Sequence, residues 1–252
     1  KRKITPKTKA VMVVHIYGNI ANLSEILKIC KSKNIYVIED CAPAFGSEHK
    51  GSKVGTIGDF GVFSFNATKM ISTGEGGAII TKRPEFYDAI TLISNQGRDR
   101  NSKDTYDIKR LGLKYNMTNI QSALGLAQLE RYEEIYEKKC KIFKTYSENF
   151  KDCNIFKLHN IEDQDNVNNF WLPTILFNEP NKNLKKIVDI INKKGADIRG
   201  SIYTLSKTEP HKDLGEFPVS DYISKNSISL CSYEEMEMEE IHFISNNLLS
   251  LV

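Results

Sequence analysis

Ala10-Val11-Met12-Val13-Val14-His15-Ile16 and, further on, Ile35-Tyr36-Val37-Ile38-Glu39-Asp40 bracket the segment that sets the fold class. The first run is continuously apolar and of strand length, which predicts a buried strand. Between the runs, Asn22 precedes Leu23, Ile26, Leu27 and Cys30 at helical spacing, and the second run is a short strand ending in two acids. Strand, helix and strand make a βαβ unit, whose parallel strands bring their carboxyl ends to one edge of the sheet. Ligand chemistry gathers at that edge.

Working outward, brief strands are expected at Gly61–Phe65 and Ala78–Thr81, with a helix after Pro84. From Thr118 to Phe150 the pattern predicts one long helix, with Ile120, Leu124, Ala127, Leu129 and Ile135 among its apolar positions. Beyond it, Phe170–Phe177 and Ile198–Tyr203 read as strands, Leu184–Lys194 as a helix stopped by Gly195, and Glu234–Leu249 as a closing helix. Asn154–Asn169, rich in Asn and Asp, reads as a loop. The expected fold class is α/β, with a large domain over residues 1–132 and, over 133–252, a linking helix and a smaller α+β domain.

Composition narrows the functions. The 252 residues carry 35 basic and 32 acidic side chains, a net charge of +3, mixed along the chain. No Lys/Arg block alternates with aromatics, so nucleic acid is not an expected partner. The five cysteines are widely spaced and contain no C-x-x-C pair, which points away from a disulfide framework or zinc site and toward a reducing cytoplasm. Lys1-Arg2-Lys3 with Ala10–Val14 imitates a leader, but the apolar run is short and His15 interrupts it. No stretch reaches the roughly 20 apolar residues that span a bilayer, so no membrane partner is expected.

Three residues stand where chemistry is expected. Asp40 ends a strand, where a carboxylate can hold a protonated ring nitrogen, cap the next helix or bind a metal. Lys69 follows the strand Phe63-Ser64-Phe65 and precedes Ser72-Thr73-Gly74-Glu75-Gly76-Gly77. A partly desolvated amine there has a lowered pKa and attacks carbonyl carbon, whereas the alternative is a solvated lysine beside a turn. Ser64 can offer a hydroxyl to a phosphate or simply fill the strand. The Gly74–Gly77 turn lacks phosphate-loop spacing and reads as a tight turn beside Lys69. A nucleotide-dependent oxidoreductase is a third reading, weakened by the lack of a Gly-rich fingerprint after the first strand.

Val37-Ile38-Glu39-Asp40-Cys41-Ala42-Pro43-Ala44-Phe45-Gly46, Gly55-Thr56-Ile57-Gly58-Asp59-Phe60-Gly61-Val62-Phe63-Ser64-Phe65, Thr68-Lys69 and Thr73-Gly74-Glu75-Gly76-Gly77 occur in that order. With Gly112-Leu113-Lys114-Tyr115-Asn116-Met117-Thr118-Asn119-Ile120-Gln121-Ser122-Ala123-Leu124-Gly125 and Gln128-Leu129-Glu130, they make the chain resemble the DegT/DnrJ/EryC1/StrS sugar aminotransferases. The resemblance implies an aspartate-aminotransferase-type fold, pyridoxal 5'-phosphate as cofactor, and a homodimer with sites at the subunit interface. It assigns Lys69 to the covalent link and proton shuttling, Asp40 to the ring nitrogen, and Ser64 to the cofactor phosphate. Lys114 and Asn116 become candidates for reaching the neighbouring subunit's phosphate, and Arg199, in Asp197-Ile198-Arg199, for touching substrate or being a surface arginine.

The implied reaction moves an amino group, with glutamate as usual donor, onto a nucleotide-linked keto sugar, as in the biosynthesis of surface polysaccharide. Lys69 separates the chain from the family's dehydratases, which lack the lysine. Departures from the family pattern are Pro43, where Gln, Glu or His is usual, and Cys231, where Pro is usual. The family pattern also has roughly a hundred residues before the point matching Lys1, including a phosphate-binding loop and a stacking aromatic. The chain is therefore expected to be a fragment, with a non-catalytic remnant or partner subunit as the alternative to an active transaminase.

Overall fold

A computed structural model describes residues 1–104, 106–159 and 164–252. In chain order the elements are β1 (Ala10–Val14), α1 (Leu23–Lys31), β2 (Tyr36–Asp40), β3 (Glu48–His49), β4 (Ser52–Lys53), β5 (Phe60–Ser64), β6 (Gly77–Thr81), α2 (Pro84–Ser94), α3 (Asn119–Glu130), α4 (Tyr132–Phe150), β7 (Phe156–Leu158), β8 (Asn166–Val167), β9 (Thr174–Phe177), α5 (Leu184–Lys193), β10 (Arg199–Gly200), α6 (Pro218–Asn226), β11 (Ser227–Ser229) and α7 (Met238–Leu249). They divide into two compact units, Lys1–Tyr132 with Glu162–Asn169, and Glu133–Ile161 with Phe170–Val252.

The first unit is built on a sheet of order β1-β2-β5-β6. β1 and β2 run parallel with Val14 opposite Asp40, and β2 and β5 run parallel with Asp40 opposite Val62, while β6 closes the sheet antiparallel. The carboxyl ends of three strands therefore meet at one edge. α1 starts where the Asn22 side chain accepts the Glu25 N–H, satisfying one of the donors a helix start leaves open. It packs Leu23 and Cys30 against Val13, Ile35 and Val37. β3 and β4 form a hairpin, and β8 joins its outer side.

The apolar run at β1 is not buried on both faces: Val13 points into the core, whereas Met12 and Val14 are 62% and 43% exposed. A run that is apolar at every position does not say which of its two faces packs. The helix expected from Thr118 to Phe150 is two, α3 and α4, separated at Arg131. Thr118 opens α3 with a reciprocal capping box to Gln121, yet α3 buries none of its residues within the chain and Ile120 is 83% exposed. Helical spacing reports an apolar face but not what covers it.

The second unit carries an antiparallel sheet of order β10-β11-β9-β7. Tyr146 and Phe150 of α4, Phe156, Ile175 and Phe177 of the sheet, Ile187 and Ile191 of α5, and Ile241 and Leu248 of α7 form its core. β9 starts at Thr174 rather than at Phe170, because Phe170 takes a φ of 54° and Pro173 has no N–H to give a ladder. The strand expected over Ile198–Tyr203 shrinks to β10, two residues paired with β11. α7 begins at Met238, capped by Glu237 and Glu240 in reciprocal bonds. The expected loop Asn154–Asn169 contains β7 and β8, and its residues 160–163 lie outside the described residues.

Lys139 of α4 is 6% exposed and donates to the carbonyl and hydroxyl of Ser232. Burial pushes its pKa down to about 8, with the charge of Glu234 opposing the shift. Below pH 8 the folded chain bears the full cost of an ionised buried amine. Between 8 and the ordinary 10.5, the unfolded chain binds the extra proton and stability rises with pH. Urea titrations should show wild-type stability gaining on Lys139→Met by about 3 kcal/mol over that interval, at roughly 1.4 kcal/mol per unit; parallel pH curves for the two proteins would contradict it.

Candidate active site

Parallel pairing decides which side chains meet at the carboxyl edge. Asp40 is held on both sides by backbone: the His15 N–H donates to the Asp40 carbonyl (3.1 Å) and the Cys41 N–H to the Val62 carbonyl (2.8 Å). Its carboxylate is half-buried, and Oδ1 accepts the Ala42 N–H at 3.0 Å. The other oxygen, Oδ2, makes no hydrogen bond with the described residues. An exposed-side acceptor at a sheet edge, fixed by its own backbone, is suited to a ring N–H of a ligand.

Lys69 lies in the loop that leaves β5 and returns as β6. That loop is cinched by Phe65 N–H to the Gly76 carbonyl and Thr73 N–H to the Phe65 carbonyl, both 2.9 Å. Met70 and Ile71 anchor it in the interior, while the Lys69 N–H bonds the Asn66 carbonyl at 3.0 Å. Gly74 takes a φ of 77°, a left-handed conformation within the tight turn expected at Gly74–Gly77. Half-burial pushes the Lys69 pKa down, and the Asp40 carboxylate, close enough to act on it, pushes back. The amine thus has a larger neutral fraction than a solvated lysine, which is what a nucleophile requires.

Ser64 closes β5. Its hydroxyl oxygen accepts the Asn66 N–H in a long contact of 3.4 Å, and its own proton has no acceptor among the described residues. Asp40, Ser64 and Lys69 therefore belong to one edge of one sheet. Lys114 and Asn116 belong to a segment stapled to the end of α2: Lys114 pairs with Asn95, and the Asn116 amide accepts from Ser94 Oγ (3.2 Å) and donates to Asn95 Oδ1 (3.1 Å). Neither bonds to Asp40, Ser64 or Lys69. Arg199 stands in the second unit, exposed and forked onto Asp197 at 2.7 and 3.3 Å.

The sequence reading passed over the neighbour of Asp40. Glu39 is fully buried, and its carboxylate accepts from the backbone N–H groups of Gly55 (2.8 Å), Ile57 (2.9 Å) and Gly58 (2.5 Å) and faces His15 Nε2 at 3.3 Å. Burial raises its pKa, but these four donors more than offset that and hold the carboxyl below the ordinary range. His15, Glu39 and Cys41 cluster within 4.8 Å. They do not suit a metal, because the Glu39 oxygens are already engaged and burial drives the Cys41 thiol far above its usual value. The signal was present in the sequence: a charged residue at an inward strand position must find donors, and a Gly-rich turn supplies them.

A carboxylate oxygen held open, an amine of lowered pKa beside it and a free hydroxyl at the next strand end fit pyridoxal phosphate, whose ring nitrogen, aldehyde and phosphate demand those three groups. Such a set at the carboxyl edge of an α/β sheet is compatible with a pyridoxal-phosphate enzyme. The chain belongs to the DegT/DnrJ/EryC1/StrS aminotransferase family, whose pattern it matches over residues 1–249, and this is a family of pyridoxal-phosphate-dependent enzymes. It is 32% identical over 249 residues to GDP-perosamine synthase of Escherichia coli O157:H7, covering 98% of this chain and 67% of that protein. Helicobacter pylori PseC, an aminotransferase involved in the biosynthesis of pseudoaminic acid, superposes with a TM-score of 0.92 at 27% identity, over 99% of this chain and 68% of that one. The PLP-form of Spr1654 from Streptococcus pneumoniae gives 0.92 at 25% identity, over 99% and 70%. The chain thus spans about two thirds of the length of these proteins.

Replacing Glu39 by Gln turns an acceptor into an N–H2 facing N–H donors. The expected loss is on the order of 2–4 kcal/mol. Because the folded pKa of Glu39 is depressed, its contribution is whole above 4.5 and is lost as pH falls through the folded value. Thermal unfolding of Glu39→Gln and wild type should therefore differ most near neutral pH and converge in acid; equal midpoints at pH 7 would contradict the assignment.

Proposed function

We propose that the protein transfers an amino group to a keto sugar carried on a nucleotide, with Lys69, Asp40 and Ser64 holding the cofactor. The observation that supports the reading is the placement of a half-buried Lys69 near enough to feel the charge of Asp40 at the carboxyl edge, where Asp40 Oδ2 makes no hydrogen bond with the described residues. Bound pyridoxal phosphate supplies an electron sink that takes up the electrons of a broken C–H bond. The chain's own residues do the rest. Asp40 keeps the ring nitrogen protonated, so the sink stays electron-poor. Lys69 would hold the cofactor through its Nζ, and the same amine, when free, would take up and return a proton at that place. Ser64 donates its hydroxyl to the phosphate, fixing the far end of the ring.

Lys114 and Asn116 are assigned to the phosphate of a second subunit in a homodimer, supported by their exposure on a segment held rigid at α2 rather than at this chain's own edge. Arg199 is assigned to substrate, its exposed guanidinium already oriented by Asp197. A nucleotide-linked substrate is supported by the name of the Escherichia coli relative, and glutamate is the donor we assign. A cytoplasmic setting agrees with five cysteines that are all free thiols. No helix of the described residues is long and apolar enough to cross a membrane.

The test is borohydride reduction of the protein mixed with pyridoxal phosphate, followed by peptide mass analysis, with Lys69→Arg and Asp40→Asn alongside. The label should fall on Lys69 and vanish in Lys69→Arg. Asp40→Asn should keep the label but lose transamination by about 10²–10⁴-fold, the usual contribution of a placed proton-transfer group. Label spread over surface lysines would favour a non-catalytic remnant.

A further inference from the structure

We propose that His15 is a positioning residue for the cofactor ring, setting the aim of Asp40 through Glu39 and through the backbone of Asp40. The inference rests on the cofactor reading above. His15 is fully buried one residue beyond β1, and each of its polar atoms is used. Its N–H donates to the Asp40 carbonyl at 3.1 Å, which carries the β1–β2 ladder past the end of β1. Ring Nδ1 lies 3.3 Å from the Ala21 N–H. That neighbour is a donor, so Nδ1 bears the lone pair and the ring proton sits on Nε2. Nε2 faces Glu39 Oε2 at 3.3 Å and donates to it.

Glu39 and Asp40 are consecutive on β2 and project to opposite faces. A Glu39 carboxylate locked by His15 and by the N–H groups of Gly55, Ile57 and Gly58 fixes the strand under Asp40 and hence the direction of its side chain. The same imidazole ties down the turn between β1 and α1, where Tyr17 takes a φ of 58° and Gly18 one of 79°. His15 thus never touches the cofactor, but it couples three segments whose ends surround Asp40.

The paired variants His15→Gln and His15→Asn separate the two ring contacts. Gln keeps a donor at the reach of Nε2, whereas Asn keeps only an acceptor for Ala21. Each is loaded with pyridoxal phosphate, and three quantities are read: thermal midpoint, cofactor dissociation constant, and the pH midpoint of the visible band of the Lys69-linked cofactor. The titratable groups around Asp40 and Lys69 include each other, His15, Glu39 and Cys41. Glu39 is held below its ordinary range and Cys41 far above its own, so neither changes charge near neutrality. A ring nitrogen that loses its carboxylate gives up its proton, and the nearby link then holds its proton more tightly.

The expected result is about tenfold weaker cofactor binding and a midpoint raised by about one pH unit in His15→Asn, with both values restored in His15→Gln whatever the two thermal midpoints. A lowered thermal midpoint with unchanged affinity and unchanged band titration in His15→Asn overturns the proposal and leaves the cofactor reading standing. If wild type itself shows no Lys69-linked band, both fall. Nitrogen-15 spectra of the unsubstituted protein give a check that needs no variant to fold: they should place the ring proton on Nε2, and a proton on Nδ1 overturns the proposal.

Discussion

The buried carboxylate of Glu39 is the constraint on which the site depends. A charge in the interior costs several kcal/mol unless it is fully hydrogen-bonded, and Glu39 meets that requirement with four donors from two places in the sequence: His15 after β1, and Gly55, Ile57 and Gly58 before β5. The cost of leaving any of them out ties the β1 end, the β2 end and the entry to β5 together. These are the strand ends that carry Asp40 and lead to Ser64 and Lys69. The anion inside the sheet is therefore what registers the reactive groups outside it.

From that register the electrostatics follow. Glu39 is satisfied within the sheet, whereas its neighbour Asp40 keeps one carboxylate oxygen without a hydrogen bond among the described residues, the oxygen proposed to face the cofactor ring. Lys69 sits where burial lowers its pKa and the charge of Asp40 limits the drop. The second unit contains a counterexample: Lys139 is more deeply buried and more strongly shifted, but its amine is bound to Ser232 in the connection from β11 to α7. A lowered pKa marks desolvation; the open acceptor beside Lys69 is what marks chemistry.

Much of this was legible in the sequence. The βαβ unit, the Asp40 position, the lysine after the Phe63-Ser64-Phe65 strand and the turn at Gly74 all followed from local patterns, because a short strand, a cap and a left-handed glycine are decided within a few residues. What stayed hidden was decided at longer range. The role of Glu39 needed donors 16 to 19 residues away, and His15 was read only as a break in an apolar run. β8 pairs with β3 across more than a hundred residues, and β11, Ser-Ile-Ser, has too little apolar pattern to announce a strand that nonetheless sits in the centre of its sheet. The break at Arg131 was masked because both helices keep the same spacing through it.

The decisive measurement is a crystal structure of the protein loaded with pyridoxal phosphate. Electron density is expected to run continuously from Lys69 Nζ to the cofactor, with the ring nitrogen within hydrogen-bond distance of Asp40 Oδ2 and Glu39 still held by His15 and the three turn amides. Cofactor joined to another lysine, or a ring nitrogen with no carboxylate facing it, would rule out this arrangement.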